Sequence, residues 1–577
     1  MYEWTLEDLY PSYKSREFQD DMNRLDSLIE KSRTSKPQDN LAEIRELIRL
    51  LEEIDTLFFK LSSFISLNES TDTTDKESAN YSALLSSKLA DFSADSARLQ
   101  KFLGSTSTDI TKDDYLANYS FYFEEAKKKV SHLLSDEVEE VIAKMNLSAG
   151  SSWSTLQSYL TSTVEGEMDG ESITLPQVRN LAYDKDPSVR KRAYEAELAM
   201  YKHIKEPISF ALNNIKSQVN DISKLRGFDS PLAQTLEQSR MQRKTLDALM
   251  SAIEDYLPVF RSYLKHKAKL LGHEGSLPFY DLFAPMGNSS RTFTVEESKE
   301  FLIDVFSKFS QDLADMTRDM YDRKHIDVFP KKGKVGGAFC ANLPMIKQSR
   351  ILLNDDGQIG SLVTAAHELG HAYHGLHIED HLPLNWEYSM PVAETASTFN
   401  ENLLLNTLMR SADKEEKINL IEQQLQDLTQ IIVDIYSRYL FESEVFERRK
   451  NEFLFADDLE KIMIDAQKKA YGDGLDENFL HPYMWVNKGH YYSETESFYN
   501  FPYAFGGLFS KGLYALYQKQ SEGFVEKYQE MLKATTVSSV EDTAKVMGID
   551  LTTKDFWCSA LEMAKTSIEE FIELTSC

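Results

Sequence analysis

Residues 41–67 read LAEIRELIRLLEEIDTLFFKLSSFISL. Leu, Ile and Phe recur at three- and four-residue spacing with charges between them, the period that lays one apolar stripe along an α-helix. The pattern returns in PSVRKRAYEAELAMYKHIKEPISFALNNIKSQVNDISKL (187–225), where Pro207 predicts a kink or break. It returns again over 239–271, 295–320, 415–470 and 510–533. Ser538 to Glu541 reads as a capping box opening a further short helix. The spacing predicts a mainly α chain, with no fixed-period repeat and no long low-complexity tract.

Other features bound the class. The chain has 577 residues, 42% hydrophobic and 27% charged, enough to bury a large core without staples. Length alone suggests three or four domains, although large helical enzymes often form one continuous body. Sixty-four basic against ninety-three acidic residues give a net charge of −29. Such a surface repels phosphate backbones and anionic lipid, so neither nucleic acid nor a membrane surface is expected as a partner. Cys340, Cys558 and Cys577 are too few and too scattered for a disulfide framework or a thiolate metal site. The start, MYEWTLEDLYPSYKSREFQDD, has no basic segment followed by an apolar run, and no apolar stretch approaches about 18 residues. The expectation is a soluble, monomeric, cytoplasmic protein.

Polar segments at NESTDTTDKES (68–78), GSTSTDITKDD (104–114) and EGEMDGESITLP (165–176) read as loops. They predict an N-terminal helical region ending between 110 and 185, taken as 1–185, followed by a second part over 186–577. One stretch breaks the helical pattern. KKGKVGGAFCANLPMIKQSRILLNDD (331–356) predicts two short strands between turn signals.

Directly after it comes QIGSLVTAAHELGHAYHGLH (358–377), with Ser361 as the expected N-cap. On a helix His367 and His371 lie one turn apart on one face, so two imidazoles can converge on one zinc ion. Glu368 points to the side of that pair, where it can take a proton from a water that the metal has acidified. His374 shares the face, but seven residues of helix span about 10 Å. That is too far for His367 and His374 to bind one ion through bonds of about 2 Å. His374 is expected in the cleft wall or against a carboxylate, and His377 exposed or as a local hydrogen-bond donor. A third ligand must come from elsewhere. SMPVAETASTFNENLLLNTL (389–408) offers Glu394 in a helix's first turn and Glu401 two turns on. One carboxylate could bind metal while the other anchors a ligating histidine through its second nitrogen.

HPYMWVNKGHYYSETESFYNFPYAFGGLF (481–509) holds seven Tyr or Phe between 490 and 505. Core packing explains part of this. Buried tyrosine hydroxyls need partners, however, and Gly506-Gly507 would let a neighbouring backbone come close. A zinc hydrolase needs hydrogen-bond donors for the oxyanion, and His490, Tyr499 and Tyr503 are the candidates.

These motifs together resemble the thimet oligopeptidase and oligoendopeptidase F group of zinc metallopeptidases. The resemblance rests on HELGHAYH (367–374), MPVAETASTFNE (390–401) and HYYSETESFYNFPYAFG (490–506), and extends to WTLEDLYPS (4–12), YDLFAPM (280–286) and GGAFC (336–340). It implies a large helical two-part body with a deep substrate channel and a small β-element beside the histidine helix. One zinc ion per chain would sit at the channel floor, and the walls would admit only short unstructured peptides. The resemblance makes His367, His371 and Glu394 the ligands and Glu368 the general base. His490, Tyr503 and Tyr499 match the substrate and oxyanion donors, Tyr503 the better of the tyrosines. His374 belongs to the extended motif, but the spacing keeps it outside the ligand set; with Glu394 taken as ligand, Glu401 is left as the carboxylate beside the centre. Gly336, Gly337, Ala338 and Phe339 would form a strand pairing with extended substrate backbone. Two alternatives remain. A helical zinc metallocarboxypeptidase would need a basic residue for the terminal carboxylate. A non-catalytic peptide-binding protein on the same fold would have no use for Glu368.

Overall fold

The structure, a computed structural model, describes residues 2–287 and 291–576, so Cys577 lies outside it. The stretch 41–67 falls within one helix, Leu41–Thr71, capped by Asn40, whose side chain accepts from the Glu43 amide at 3.1 Å. Its stripe of Ile44, Leu47, Ile48, Leu51 and Ile54 is buried between the helices Arg16–Thr34 and Lys76–Ser105. Leu6 to Phe123 build a core of their own, which takes in one distant residue, Leu343. A second, larger core runs from Leu175 to Phe571. The body is thus helical and in two parts. Among the described residues no helix is long and apolar enough to cross a membrane.

Several elements differ from the periodicity. Pro187–Leu225 is one uninterrupted helix of 39 residues. Burial of Ile204, Ile208, Ala211 and Leu212 on either side of Pro207 outweighs the one hydrogen bond proline cannot make. The stretch 295–320 divides into Val295–Ser307 and Gln311–Asp322. The stretch 415–470 divides into Lys414–Leu428, Ile435–Arg448 and Ala456–Tyr471, with a π-helical segment, Thr429–Asp434, joining the first two. Ser539 rather than Ser538 caps Val540–Val546, accepting from the Asp542 amide. The expected loop at 165–176 contains a hairpin. β1 (Glu165–Met168) pairs antiparallel with β2 (Glu171–Thr174). Asp169 and Gly170 turn between them at φ 55° and 83°, the two positive values that an Asp-Gly turn favours.

Three strands form the sheet beside the histidine segment. β3 (Ile326–Asp327) lies parallel to β5 (Gln348–Leu352), and β4 (Phe339–Leu343) lies antiparallel to it. β5 is the centre, so β4 keeps one open edge. Gly336 and Gly337 bend ahead of the strand, Gly337 at φ 77°, and the ladder starts only at Phe339. A backbone at positive φ cannot continue a ladder, which is why the expected strand over Gly336–Phe339 begins at its last residue. β4 spans the seam between the cores: Leu343 belongs to the first, while Cys340 packs on the second.

β5 leads into the histidine helix, Ile359–Ile378, whose N-cap is Gln358. Ser361 lies within the first turn and donates to the Asp356 carboxylate instead. The glutamate helix (Thr395–Ser411) crosses it, and the tyrosine helix (Phe501–Lys519) packs on the glutamate helix. The segment before the tyrosine helix is held by Glu442. That carboxylate accepts from Lys216 Nζ at 2.7 Å, the Phe498 amide at 3.1 Å and Asn500 Nδ2 at 2.8 Å. Lys216 and Glu442 are each 1% exposed. Lys216→Met would leave a buried carboxylate without its counter-charge and is expected to lower stability by about 3–5 kcal/mol, read as a fall in the thermal midpoint. An unchanged midpoint would mean that Glu442 finds another partner.

Candidate metal centre

The histidine and glutamate helices meet at Gly370. A Cβ there would lie 2.4 Å from the Ala396 carbonyl oxygen and 2.5 Å from Ser397 Cα, so only glycine lets the backbones come this close. Asn400 Nδ2 donates to the Ala366 carbonyl at 3.3 Å across the same contact. Gly370 falls between His367 and His371, so the close approach delivers the glutamate helix directly onto the histidine pair. Glu394, at the N-cap of that helix, puts Oε2 3.2 Å from His367 Nε2 and 3.3 Å from His371 Nε2. The two Nε2 atoms are 3.2 Å apart. Glu401, two turns on, bonds His367 Nδ1 through Oε1. Ser397 Oγ donates to Glu394 Oε2 at 2.7 Å. Gly506 of the tyrosine helix faces Glu394, where an added Cβ would be 3.2 Å from the Glu394 Cβ.

Two imidazole nitrogens and one carboxylate oxygen therefore converge, all within 4.8 Å of one another. Such a three-ligand nitrogen–oxygen set can hold a divalent metal ion. The electrostatics agree with a cation. Burial opposes charge on His367, but Glu394 and Glu401 outweigh it and hold the ring up at about 10. Burial also opposes charge on Glu394, but hydrogen bonds from His367 and His371 hold it far below the carboxylate range. A divalent ion would replace the proton that this acidic surround otherwise retains.

Glu368 stands apart from the donor set. It is 5% exposed and makes no hydrogen bond to another described residue. Burial raises its pKa, with His367 and His371 pulling it partly back. Cys340 of β4 lies within its field; burial, then Glu368, push the thiol well up. β4 is fixed along the histidine helix by Asn342, whose Nδ2 donates to the His371 carbonyl at 3.2 Å. Gly375 makes room for it, since a Cβ there would come within 2.3 Å of Asn342 Oδ1.

The aromatic segment divides. Tyr491 and Tyr492 are core, the latter donating to the Trp485 carbonyl at 2.9 Å. His490, Tyr499 and Tyr503 cluster instead, with ring centroids 4.7, 6.0 and 5.9 Å apart, His490 exposed and both tyrosines half-buried. Tyr499 Oη lies 3.7 Å from Met390 Sδ, just ahead of Glu394 in the chain. Burial raises both tyrosine hydroxyls and the Glu394 charge adds to it, so both lie within reach of that carboxylate's field.

His374 neither lines a cleft nor meets a carboxylate. It is fully buried, bonded through Nε2 to Thr535 Oγ1 at 2.8 Å and stacked on Tyr388 at 4.3 Å. Burial pushes its pKa down to about 3. His377 is buried too, against the Tyr373 ring at 4.5 Å. Both sit where the helix runs under the rest of the fold, a contact that spacing along one helix does not reveal. Gly370 is not singled out by the helical spacing; its one signal in the sequence is a small residue between two ligand candidates.

The family model described as Peptidase family M3 matches residues 180–563, more than half of the chain. The chain belongs to peptidase family M3. A second family model, described as Oligopeptidase F, matches residues 106–165. Oligopeptidase PepF of Bacillus subtilis (strain 168) is 24% identical over 99% of this chain and 87% of its own length. A solved structure from Chlamydophila abortus is 20% identical, with a TM-score of 0.86, over 99% of this chain and 98% of that one. The crystal structure of oligoendopeptidase-F from Enterococcus faecium is likewise 20% identical, with a TM-score of 0.72, over 97% and 99%. As an M3 peptidase the chain is a metallopeptidase, and His367, His371 and Glu394 form the one compact donor group among the described residues. Gly370→Ala in this M3 chain is expected to force the two helices apart. It should cost about 1–3 kcal/mol of stability and weaken divalent-metal binding by about 10–100-fold, read by chelator competition. Unchanged metal affinity would show that the crossing does not set the site.

Proposed function

We propose that this chain is a zinc-dependent endopeptidase of short unstructured peptides, holding one zinc ion through His367, His371 and Glu394. The observation that carries the reading is the convergence of those three donors with Glu368 buried beside them and outside their set. A zinc ion there supplies a Lewis acid and brings the pKa of a water down towards about 7. Glu401 holds the proton on His367 Nδ1 and so presents the Nε2 lone pair to the centre. Glu368, with its raised pKa and no competing hydrogen bond, accepts the water's proton and passes it to the leaving amine.

His490 and Tyr503 donate to the oxyanion, with Tyr499 beside them. Burial, then Arg438 and Lys488, lower the pKa of His490, so it acts as a neutral N–H donor. The open edge of β4, with Gly336, Gly337 and Ala338 leading into it, takes the extended peptide backbone. No heavy atom lies within 4 Å of where a Cβ would stand at Gly336 or Gly337, which supports access. Restriction to oligopeptides is supported by the names of the Bacillus subtilis and Enterococcus faecium proteins. The division into an N-terminal part, 1–185, and a catalytic part, 186–577, is supported by one core ending at Phe123 and the other starting at Leu175. The acidic balance supports a monomeric enzyme, and the cytoplasm is its proposed compartment.

Glu368→Gln is expected to keep stoichiometric zinc by elemental analysis and to lose nearly all peptide turnover. A variant that cleaves at the wild-type rate would remove Glu368 from the mechanism. Tyr503→Phe is expected to lower kcat by about 10²–10³, the loss seen on removing one oxyanion donor. An unchanged kcat would make Tyr503 a packing residue.

A further inference from the structure

Lys488 lies two residues ahead of His490, in the wall of a cavity of about 650 Å³. A second cavity of about 480 Å³ shares Tyr183, Phe283, Gln426 and Asp427 with it. That second cavity is bounded by Glu401 and by Val363 and Gly360, one and two turns ahead of His367. The two cavities therefore adjoin, the second reaching Glu401, which bonds His367, and the first holding Lys488 close to His490.

The charges around the two cavities are mostly paired. Arg190 meets Asp281 at 2.7 Å, Arg179 meets Glu197 at 3.4 Å, and Arg438 meets Asp434. In the second cavity Lys511 Nζ donates to Asn402 Oδ1 at 3.2 Å. Two groups have no ion pair or hydrogen bond among the described residues, Asp427 and Lys488. Burial, with Glu401 and Glu422 adding to it, pushes Asp427 up to about 6, which leaves it mainly an anion at neutral pH. Burial pushes Lys488 down to about 8, which leaves it mainly a cation at neutral pH. An ammonium half-buried without a partner is costly, and a carboxylate is a group that relieves the cost through charge-assisted hydrogen bonds. His481 stands in the same wall. It is fully buried, its Nε2 stands 3.6 Å from Glu197 Oε1, beyond hydrogen-bond reach, and its Nδ1 has no hydrogen-bond partner among the described residues.

We propose that Lys488 is a specificity-determining residue of the peptidase site, its ammonium binding a carboxylate of the peptide. The inference rests on the peptidase reading above. The carboxylate is either the peptide's C-terminus or the side chain of an acidic residue near the scissile bond, and both present the same chemistry to Lys488. An endopeptidase so equipped acts best on peptides whose negative end or acidic residue reaches this cavity.

The test uses the zinc-loaded full chain carrying Glu368→Gln, so that binding is read without turnover. Three fluorescent peptides of one sequence are compared by anisotropy: a free acid, its C-terminal amide, and an amide with Glu in place of one Gln. The parent is expected to bind a carboxylate-bearing peptide about tenfold more tightly than the plain amide. A gain for the free acid assigns the C-terminus, and a gain for the Glu amide assigns a side chain. Lys488→Met should bring the ratio close to one, and Lys488→Arg should retain most of it. The inference is overturned if the parent shows no preference, if Lys488→Met keeps it, or if none of the peptides binds. Absence of turnover by the wild-type chain on the same peptides would instead count against the peptidase reading, whatever the binding ratios.

Discussion

Gly370 has no side chain because the Ala396 carbonyl and Ser397 Cα occupy the place where one would begin. That contact fixes how the histidine and glutamate helices cross, and the crossing fixes the distance from His367 and His371 to Glu394 and Glu401. A wider crossing would leave two imidazoles with no third donor. Gly506 repeats the device from the other side, letting the tyrosine helix lie over Glu394. Two glycines on separate helices thus clear the volume in which three polar atoms can meet. Close-packed interiors transmit such displacements rather than absorb them, so the geometry of the centre is a property of backbone packing before it is one of side chains.

The same surroundings push two carboxylates in opposite directions. Glu394 receives both imidazoles and is held ionised; Glu368, one residue from His367, receives burial and no hydrogen bond and is raised. Paired carboxyl groups driven apart in this way are suited to different tasks, one to hold charge and one to move a proton. The aromatic donors depend on a more distant anchor. Phe498 sits at φ 54°, an unfavoured conformation for a bulky residue. Glu442 accepts from its amide and from Asn500 while neutralised by Lys216 of a helix more than two hundred residues earlier. Tyr499 lies within that anchored stretch and Tyr503 three residues beyond it.

Much of this is legible in sequence because its physics is local. Helical period depends on neighbours three and four residues away, and Leu41–Thr71 and Pro187–Leu225 follow it. His367 and His371 share a face for the same reason. Features decided by tertiary contact are not legible in this way. His374 shares their face in projection, yet Tyr388 and Thr535 close over it. The hairpin at 165–174 turns Met168 and Ile173 onto the core and Glu165 and Glu167 outward, but four-residue strands are too short for that alternation to stand out, and Asp169-Gly170 is its clearest local sign. The open edge of β4 depends on β3 and β5 taking the other positions in the sheet, which no single segment encodes. Lys488 looks like any surface lysine until the cavity around it and the pairing of its charged neighbours are known.

The most direct test is anomalous diffraction on crystals of the zinc-loaded protein, with data collected on both sides of the zinc absorption edge. One anomalous peak is predicted, bounded by His367 Nε2, His371 Nε2 and the Glu394 carboxylate, with Glu401 still bonded to His367 Nδ1 and His374 still bonded to Thr535. A peak beside His374, or bound zinc that leaves Glu394 outside its ligands, would contradict the crossing at Gly370 as the feature that builds the site.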